Sequence, residues 1–266
     1  MKLTTWLVQT NIAPESPTPA LLQGACGRQG RLFLAITVLP GSKSLPEIPQ
    51  AASDGPVVFH GRSTLILNAR SSPWKHGVFF DPDTFGHRAY AKGYGDRLLN
   101  DGAVVMTWAE LLRLTEKASG YRFIKPIDDF KGFTGQALSL SAVPSLFEKL
   151  HEKHGHGLLG TEVVVAQAQE VDAEWRLFVV DGKVVTGSMY RPAGGSHVPA
   201  DVLAFAQSAI RDWTPAPVFA LDVGKIGNRL KIIECNCFNA SRLYDSDVDR
   251  LVQAVSDYQE ARYATA

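Results

Sequence analysis

Apolar positions fall in two rhythms along this chain. Short apolar-rich stretches read as strands: Thr5–Gln9 (TWLVQ), Leu32–Leu39 (LFLAITVL), Val57–Gly61 (VVFHG), Tyr121–Lys125 (YRFIK), stopped by Pro126, and Thr161–Ala166 (TEVVVA). Apolar sets spaced three and four apart predict helices. Trp108, Leu111, Leu112 and Leu114 form one such set, with Thr107 and Glu110 as a capping box and Gly120 as its stop. Another covers roughly Val143–His154, ended by Gly155 and Gly157. A third contains Val202, Phe205, Ala206, Ala209, Ile210 and Trp213. Val248, Leu251, Val252, Val255 and Tyr258 make a fourth, capped by Ser246 or Asp245. Weaker helices are expected around Pro19–Gly27 and after Val57–Gly61. Pro40–Pro56 reads as loop, and Pro73–Arg97 has no clean period and reads as irregular.

Two hairpins complete the pattern. Asp181-Gly182 is a strong two-residue turn signal between Glu174–Val180 and Lys183–Arg191. Phe219–Ser241 (FALDVGKIGNRLKIIECNCFNAS) reads as two strands joined near Asn228. Strands alternating with helices in the first third predict a small parallel α/β layer. The expected division is a small α/β domain over residues 1–105 and a second domain over 106–266, joined by the helix that starts after Thr107.

Composition narrows the class. Among 266 residues, 27 basic and 27 acidic side chains balance, and no like-charge block stands out. Neither a nucleic acid nor an acidic membrane is therefore an expected partner. The cysteines Cys26, Cys235 and Cys237 are unlike a secreted disulfide framework. The opening MKLTTWLVQTN lacks a signal-peptide core, and no apolar run is long enough to span a bilayer, so a cytoplasmic protein is expected.

The candidate chemistry lies in the hairpins. Glu234 and Asn236 share a strand face, while Cys235 and Cys237 take the other. A loop centred on Asn228 sets Asp222 opposite Glu234, so three oxygen donors converge. Hard oxygen ligands of this kind suit a Mg²⁺ that also binds phosphates; a hairpin facing water would use the same residues. In the first hairpin, regular pairing sets Arg176 opposite Gly187 and puts Glu174, Arg176 and Arg191 on one face. The arginines fit phosphates and the carboxylate fits ribose hydroxyls; cross-strand ion pairing is the alternative. Lys125 ends a strand before a loop with Lys131, Gly132, Thr134 and Gly135, a place suited to phosphate contact, although a lysine there also simply reaches water. No Walker A spacing is present. His151-Glu152-Lys153-His154 lacks the spacing of a zinc helix, and Cys235 and Cys237 read as core residues.

In this order the features resemble the ATP-grasp superfamily: FIKP at 123–126, a Gly-containing loop, VVVAQA, EWRLFVVDGKVVTGSMYR at 174–191 and ALDVG…IIECN at 220–236. The D…E-x-N set is similar to that of the glutamate-ligase type. The resemblance covers roughly residues 106–266, and the segment before it resembles the small Rossmann-like domain that commonly precedes this fold. It implies ATP held between two α+β subdomains. Lys125 would contact the α/β phosphates and the loop with Lys131, Gly132 and Gly135 would close over the β/γ phosphates. Backbone groups near Gln167 and Ala168 would meet adenine and Glu174 the ribose. Arg176 and Arg191 would contact phosphates or an acyl phosphate, and Asp222, Glu234 and Asn236 would hold Mg²⁺, with Mn²⁺ as a substitute. It further implies a carboxylate–amine ligase that releases ADP and phosphate, acting on a small-molecule or peptide carboxylate and an amine nucleophile. A small-molecule kinase on the same fold and a non-catalytic nucleotide-binding module are the alternatives. The short loop and the AQA run, where an acidic residue is often found, depart from the pattern. Arg191–His197 and Asn239–Tyr244 are the expected substrate loops by location.

Overall fold

The computed structural model describes residues 2–13, 15–39, 41–49, 52, 55–128 and 132–265; of His154 and His156 it describes the backbone alone. The elements run β1 (Thr5–Gln9), α1 (Thr18–Arg28), β2 (Phe33–Ile36), β3 (Val57–His60), α2 (Ser63–Arg70), α3 (His87–Tyr94), β4 (Val104–Thr107), α4 (Trp108–Thr115) and β5 (Tyr121–Pro126). They continue with β6 (Gln136–Ser139), α5 (Val143–His154), β7 (Glu162–Gln167), β8 (Ala173–Val180), β9 (Lys183–Arg191), α6 (Ala200–Asp212), β10 (Val218–Ile226), β11 (Arg229–Cys237) and α7 (Val248–Ala264).

Three sheets result. The first is parallel, in the order β2-β1-β3, with α1 carrying the crossover from β1 to β2. The other two are antiparallel, β4-β7-β5-β6 and β11-β10-β8-β9. The middle sheet has a core of its own, in which Ile124, Val163 and Val165 pack against Trp108 and Leu111 of α4 and Val143 of α5. The last sheet instead shares its cores with the N-terminal layer. Trp6 and Val58 join Phe178, Val218 and Phe238, and α7 adds Leu251, Val252 and Val255. On the opposite side Leu7 and Phe59 join Leu177 and Leu221. Covering on both faces explains why β8 and β10 read as nearly continuous apolar runs.

Several expectations meet corrections. Helix α4 begins with the capping box, Glu110 N donating to Thr107 Oγ1 at 3.2 Å and Thr107 N to Glu110 Oε2 at 2.8 Å, but it ends at Thr115, before Gly120. The segment read as irregular contains α3, whose buried residues are His87, Tyr90 and Tyr94. Gly93 sits inside it because a Cβ there would come within 2.3 Å of the Trp213 ring. Strands β4 and β6 are short, half-exposed edges outside the expected strands, although β4 lies on the apolar stretch Ala103–Met106. The N-cap of α7 is Asp247, which accepts from Arg250 N at 2.9 Å, rather than Ser246 or Asp245.

Candidate functional site

A cleft of about 750 Å³ opens between the middle sheet and the last sheet. Phe123, Lys125, Gly135 and Gln136 line one wall; Glu174, Arg176, Asp222, Glu234 and Asn236 line the other. Sheet register builds the second wall. Strand β10 lies between β8 and β11, and Asp222 is paired with Arg176 on one side and Glu234 on the other. The three residues therefore form a row across the sheet. Gly227-Asn228 is the turn of the β10–β11 hairpin, with Gly227 at φ +56°. Regular pairing from that turn would put Ile233 opposite Asp222. A bulge at Ile233 restores the expected Asp222–Glu234 pair.

The charged groups bind each other along this row. Arg176 donates from Nε to Asp222 Oδ1 at 2.8 Å and from Nη2 to Asp222 Oδ2 at 2.7 Å, a fork matched to a carboxylate. Asn236 Nδ2 donates to Asp222 Oδ2 at 3.0 Å. Across the cleft, Lys125 Nζ lies 3.9 Å from Glu234 Oε2. Burial disfavours the Arg176 charge, but Asp222 more than offsets it and raises the guanidinium pKa. Tyr190 and Tyr244 stack with ring centroids 4.8 Å apart, and Arg176 Cζ lies 5.8 and 5.2 Å from them.

The β8–β9 hairpin corrects the regular register. Asp181-Gly182 is the turn, with both residues at positive φ, but bulges at Val185 and Tyr190 shift the pairing. Arg176 faces Ser188, and Gly187 faces Leu177, where a Cβ would come within 2.5 Å of Leu177 Cδ2. The space left by Gly187 therefore serves Leu177. The second bulge brings two consecutive side chains to one carboxylate. Tyr190 Oη donates to Glu174 Oε2 and Arg191 Nη1 to Glu174 Oε1, both at 2.6 Å. Burial, followed by the nearby Asp222 and Glu174, pushes the Tyr190 phenol upward.

Of the other expected residues, Gln167 lines the cleft from the end of β7, while Ala168 and Gly132 do not. Lys131, with Asp129 and Phe130, lies outside the described residues. At Gly135 a Cβ would come within 2.9 Å of Phe123 and 3.0 Å of Lys125 Cβ, so glycine lets the loop lie on that strand. Ala240, Ser241, Arg242 and Tyr244 line the cleft, as does Arg191 of the 191–197 stretch. Asn239 is a strut instead. Its Nδ2 donates to the carbonyls of Phe59 and Gly77, and its Oδ1 accepts from Phe79 N at 2.7 Å. Cys235 and Cys237 are buried thiols outside any disulfide.

His87 and Tyr90, also in the cleft lining, were not read from the sequence. Tyr90 Oη donates to the Cys235 carbonyl at 2.9 Å. His87 is 4% exposed, with Nδ1 buried and without a partner. Burial, with Lys125 and Arg88 nearby, pushes its imidazole down to about 4. Their three-residue spacing within His87-Arg-Ala-Tyr-Ala-Lys-Gly-Tyr94 was the available signal.

The donor set suits a hard cation. Among the described residues no group of three or more His, Cys, Asp or Glu side chains is arranged as a metal cage. Two carboxylates and an amide on one sheet face fit Mg²⁺, which takes few protein ligands and completes its shell with phosphate and water.

Among solved structures, the chain is similar to the D-cycloserine synthetase DcsG, with a TM-score of 0.61 at 16% identity over 96% of this chain and 99% of that one. It is similar to the ATP-grasp ligase PsnB, complexed with precursor peptide PsnA2 and AMPPNP, with a TM-score of 0.58 at 11% identity over 97% and 99%. D-alanine–D-alanine ligase from Bacillus anthracis, complexed with ATP, gives 0.61 at 13% over 100% and 99%. These likenesses are of fold. No curated protein sequence matches the chain. A family model, the ATP-grasp domain of R2K clade family 3, matches residues 94–255, and the chain belongs to that family.

Proposed function

We propose that this protein is an ATP-dependent carboxylate–amine ligase. The observation that carries the reading is the row Arg176–Asp222–Glu234, facing Lys125 across the cleft. It joins phosphate-binding cations to metal-binding oxygens on one surface, as phosphoryl transfer to a carboxylate requires. The ATP-grasp family assignment supports the same reading, and similar structures complexed with ATP or AMPPNP support the nucleotide.

In this reading ATP lies between the two antiparallel sheets, within a catalytic unit of residues 106–266 that follows a smaller domain of residues 1–105. Lys125 contacts the α/β phosphates, the loop with Lys131, Gly132 and Gly135 covers the β/γ phosphates, and the Gln167–Ala168 backbone meets adenine. Glu174 takes the ribose, while Asp222, Glu234 and Asn236 hold Mg²⁺ or Mn²⁺. When bound, the metal supplies charge neutralisation on the phosphoryl oxygens. A carboxylate oxygen of the substrate attacks the γ-phosphorus and ADP leaves. The amine then attacks the acyl carbon, phosphate leaves and the amine loses a proton. Arg176 and Arg191 steady the phosphoryl oxygens through both steps. Holding acyl donor and amine together contributes about 7–11 kcal/mol by orientation. The acceptor class is a small-molecule or peptide carboxylate, a range that the PsnB precursor peptide supports. Three buried cysteines outside any disulfide support a reducing, cytoplasmic setting, and no described helix is long and apolar enough to cross a membrane.

The test is ATP turnover with Mg²⁺ against pools of carboxylates and amines, read by mass spectrometry. ADP with an amide product is the expected result. A stable phosphorylated alcohol would turn the reading into a kinase, and failure to bind Mg-ATP would end both.

A further inference from the structure

The cations and anions of the cleft, assigned above to different parts of a metal–nucleotide complex, hold one another. Asp222 is the clearest case. Both of its oxygens accept from the Arg176 fork, at 2.8 and 2.7 Å, and the two side chains are only 3% and 9% exposed. The stacked rings of Tyr190 and Tyr244 stand 5.8 and 5.2 Å from the guanidinium carbon. Glu234 faces Lys125 at 3.9 Å. The formal charges of these four residues cancel.

We infer that Arg176 is an internal competitor for the cation at Asp222, so that a divalent metal binds this face tightly only together with a polyphosphate. A metal arriving alone adds two positive charges beside two fixed cations, inside a wall where screening is weak. It must also take Asp222 from a guanidinium that then has no anion. A polyphosphate changes both terms. Its oxygens give the Arg176 fork a replacement acceptor of matching geometry, and its charge offsets the metal. Metal and nucleotide thereby raise each other's affinity by the same factor. This rests on Asp222 being a metal ligand, as proposed above.

Mn²⁺ serves as the probe, its binding followed by electron paramagnetic resonance of the free ion, with and without a non-hydrolysable ATP analogue. Wild-type protein is expected to bind Mn²⁺ at least about tenfold more tightly with the analogue than without it. Arg176→Gln is expected to bind Mn²⁺ alone more tightly than wild type does, and to lose most of the gain from the analogue. Equal or weaker binding of Mn²⁺ alone by Arg176→Gln overturns the inference. Should that variant fail to fold, wild-type protein that binds Mn²⁺ equally with and without the analogue overturns it by itself. Asp222→Asn separates the two levels. If it binds Mn²⁺ with the analogue as wild type does, the metal assignment fails, whatever Arg176 does.

Discussion

Two buried arginine–carboxylate pairs in this molecule sit in different surroundings. Arg31 and Glu260 are each 4% exposed and ion-paired. Every further bond they make stays within the chain. Glu260 accepts from Thr4 N at 2.8 Å, and Arg31 reaches Asp257 at 3.2 Å and Gln29 Oε1 at 3.3 Å. Arg176 and Asp222 are as deeply buried but border a cleft of about 750 Å³. A buried ion pair roughly repays its own desolvation, so neither is explained by stability alone. The Arg31 pair closes on the chain and fastens α7 to the start of β1. The Arg176 pair borders open space, where the exchange of partners inferred above would take place. What lies beside a buried pair, protein or cleft, decides its meaning.

That contrast can be broken by experiment. Asp222→Asn and Glu234→Gln should each lower ATP turnover by about 10²–10³-fold or more while circular dichroism keeps the native spectrum. Wild-type turnover in either would remove the cleft pair from function. Glu260→Ala should do the reverse, lowering unfolding free energy by about 3–5 kcal/mol in urea titrations, because Arg31 loses its buried partner. Turnover per folded molecule should not change.

The histidines give a smaller, pH-dependent effect. Burial holds the His60 imidazole down at about 4, and His87 is held there by burial with Lys125 and Arg88. The unfolded chain binds protons below about 6.5 while the folded chain does not. Their linked contribution is therefore full above about 6.5 and is lost as pH falls toward 4. Urea midpoints should decline over that window, and less steeply in His60→Gln; an unchanged slope would show that His60 does not titrate on unfolding. Smallest of all, Thr107→Ala should cost about 1 kcal/mol through the lost helix cap. A melting temperature equal to wild type would mean that packing alone sets the start of α4.

The strands and helices that a core dictates were legible in the sequence. Val163–Ala166 and Trp175–Val180 are buried runs, and the Thr107–Glu110 box marked its helix start. Asp222 was paired with Glu234 from the turn position, although the pairing depends on a bulge at Ile233 that no local signal announces. The pairing of Arg176 with Asp222 was not legible. Arg176 meets Asp222 only because β10 returns beside β8 after α6, a neighbourhood set by tertiary packing rather than by either hairpin. An ion pair between Glu174 and an arginine of its hairpin was an open alternative, and Arg191 makes it at 2.6 Å; bulges are invisible to a period of two, so the convergence of Tyr190 on the same carboxylate was not legible. Helix α3 escaped because aromatic and polar residues, His87, Tyr90 and Tyr94, make its buried face.

The seam between α7 and the first strand also sets a timetable. Thr4 Oγ1 donates to the Ser256 carbonyl at 3.2 Å across a separation of 252 residues. Trp6 packs in a cluster completed by Leu251, Val252 and Val255. At ribosomal rates of roughly 5–20 residues per second, the stretch between them takes about 10–50 s to synthesise. Until then Trp6 lacks the α7 side chains that complete its cluster in the folded chain.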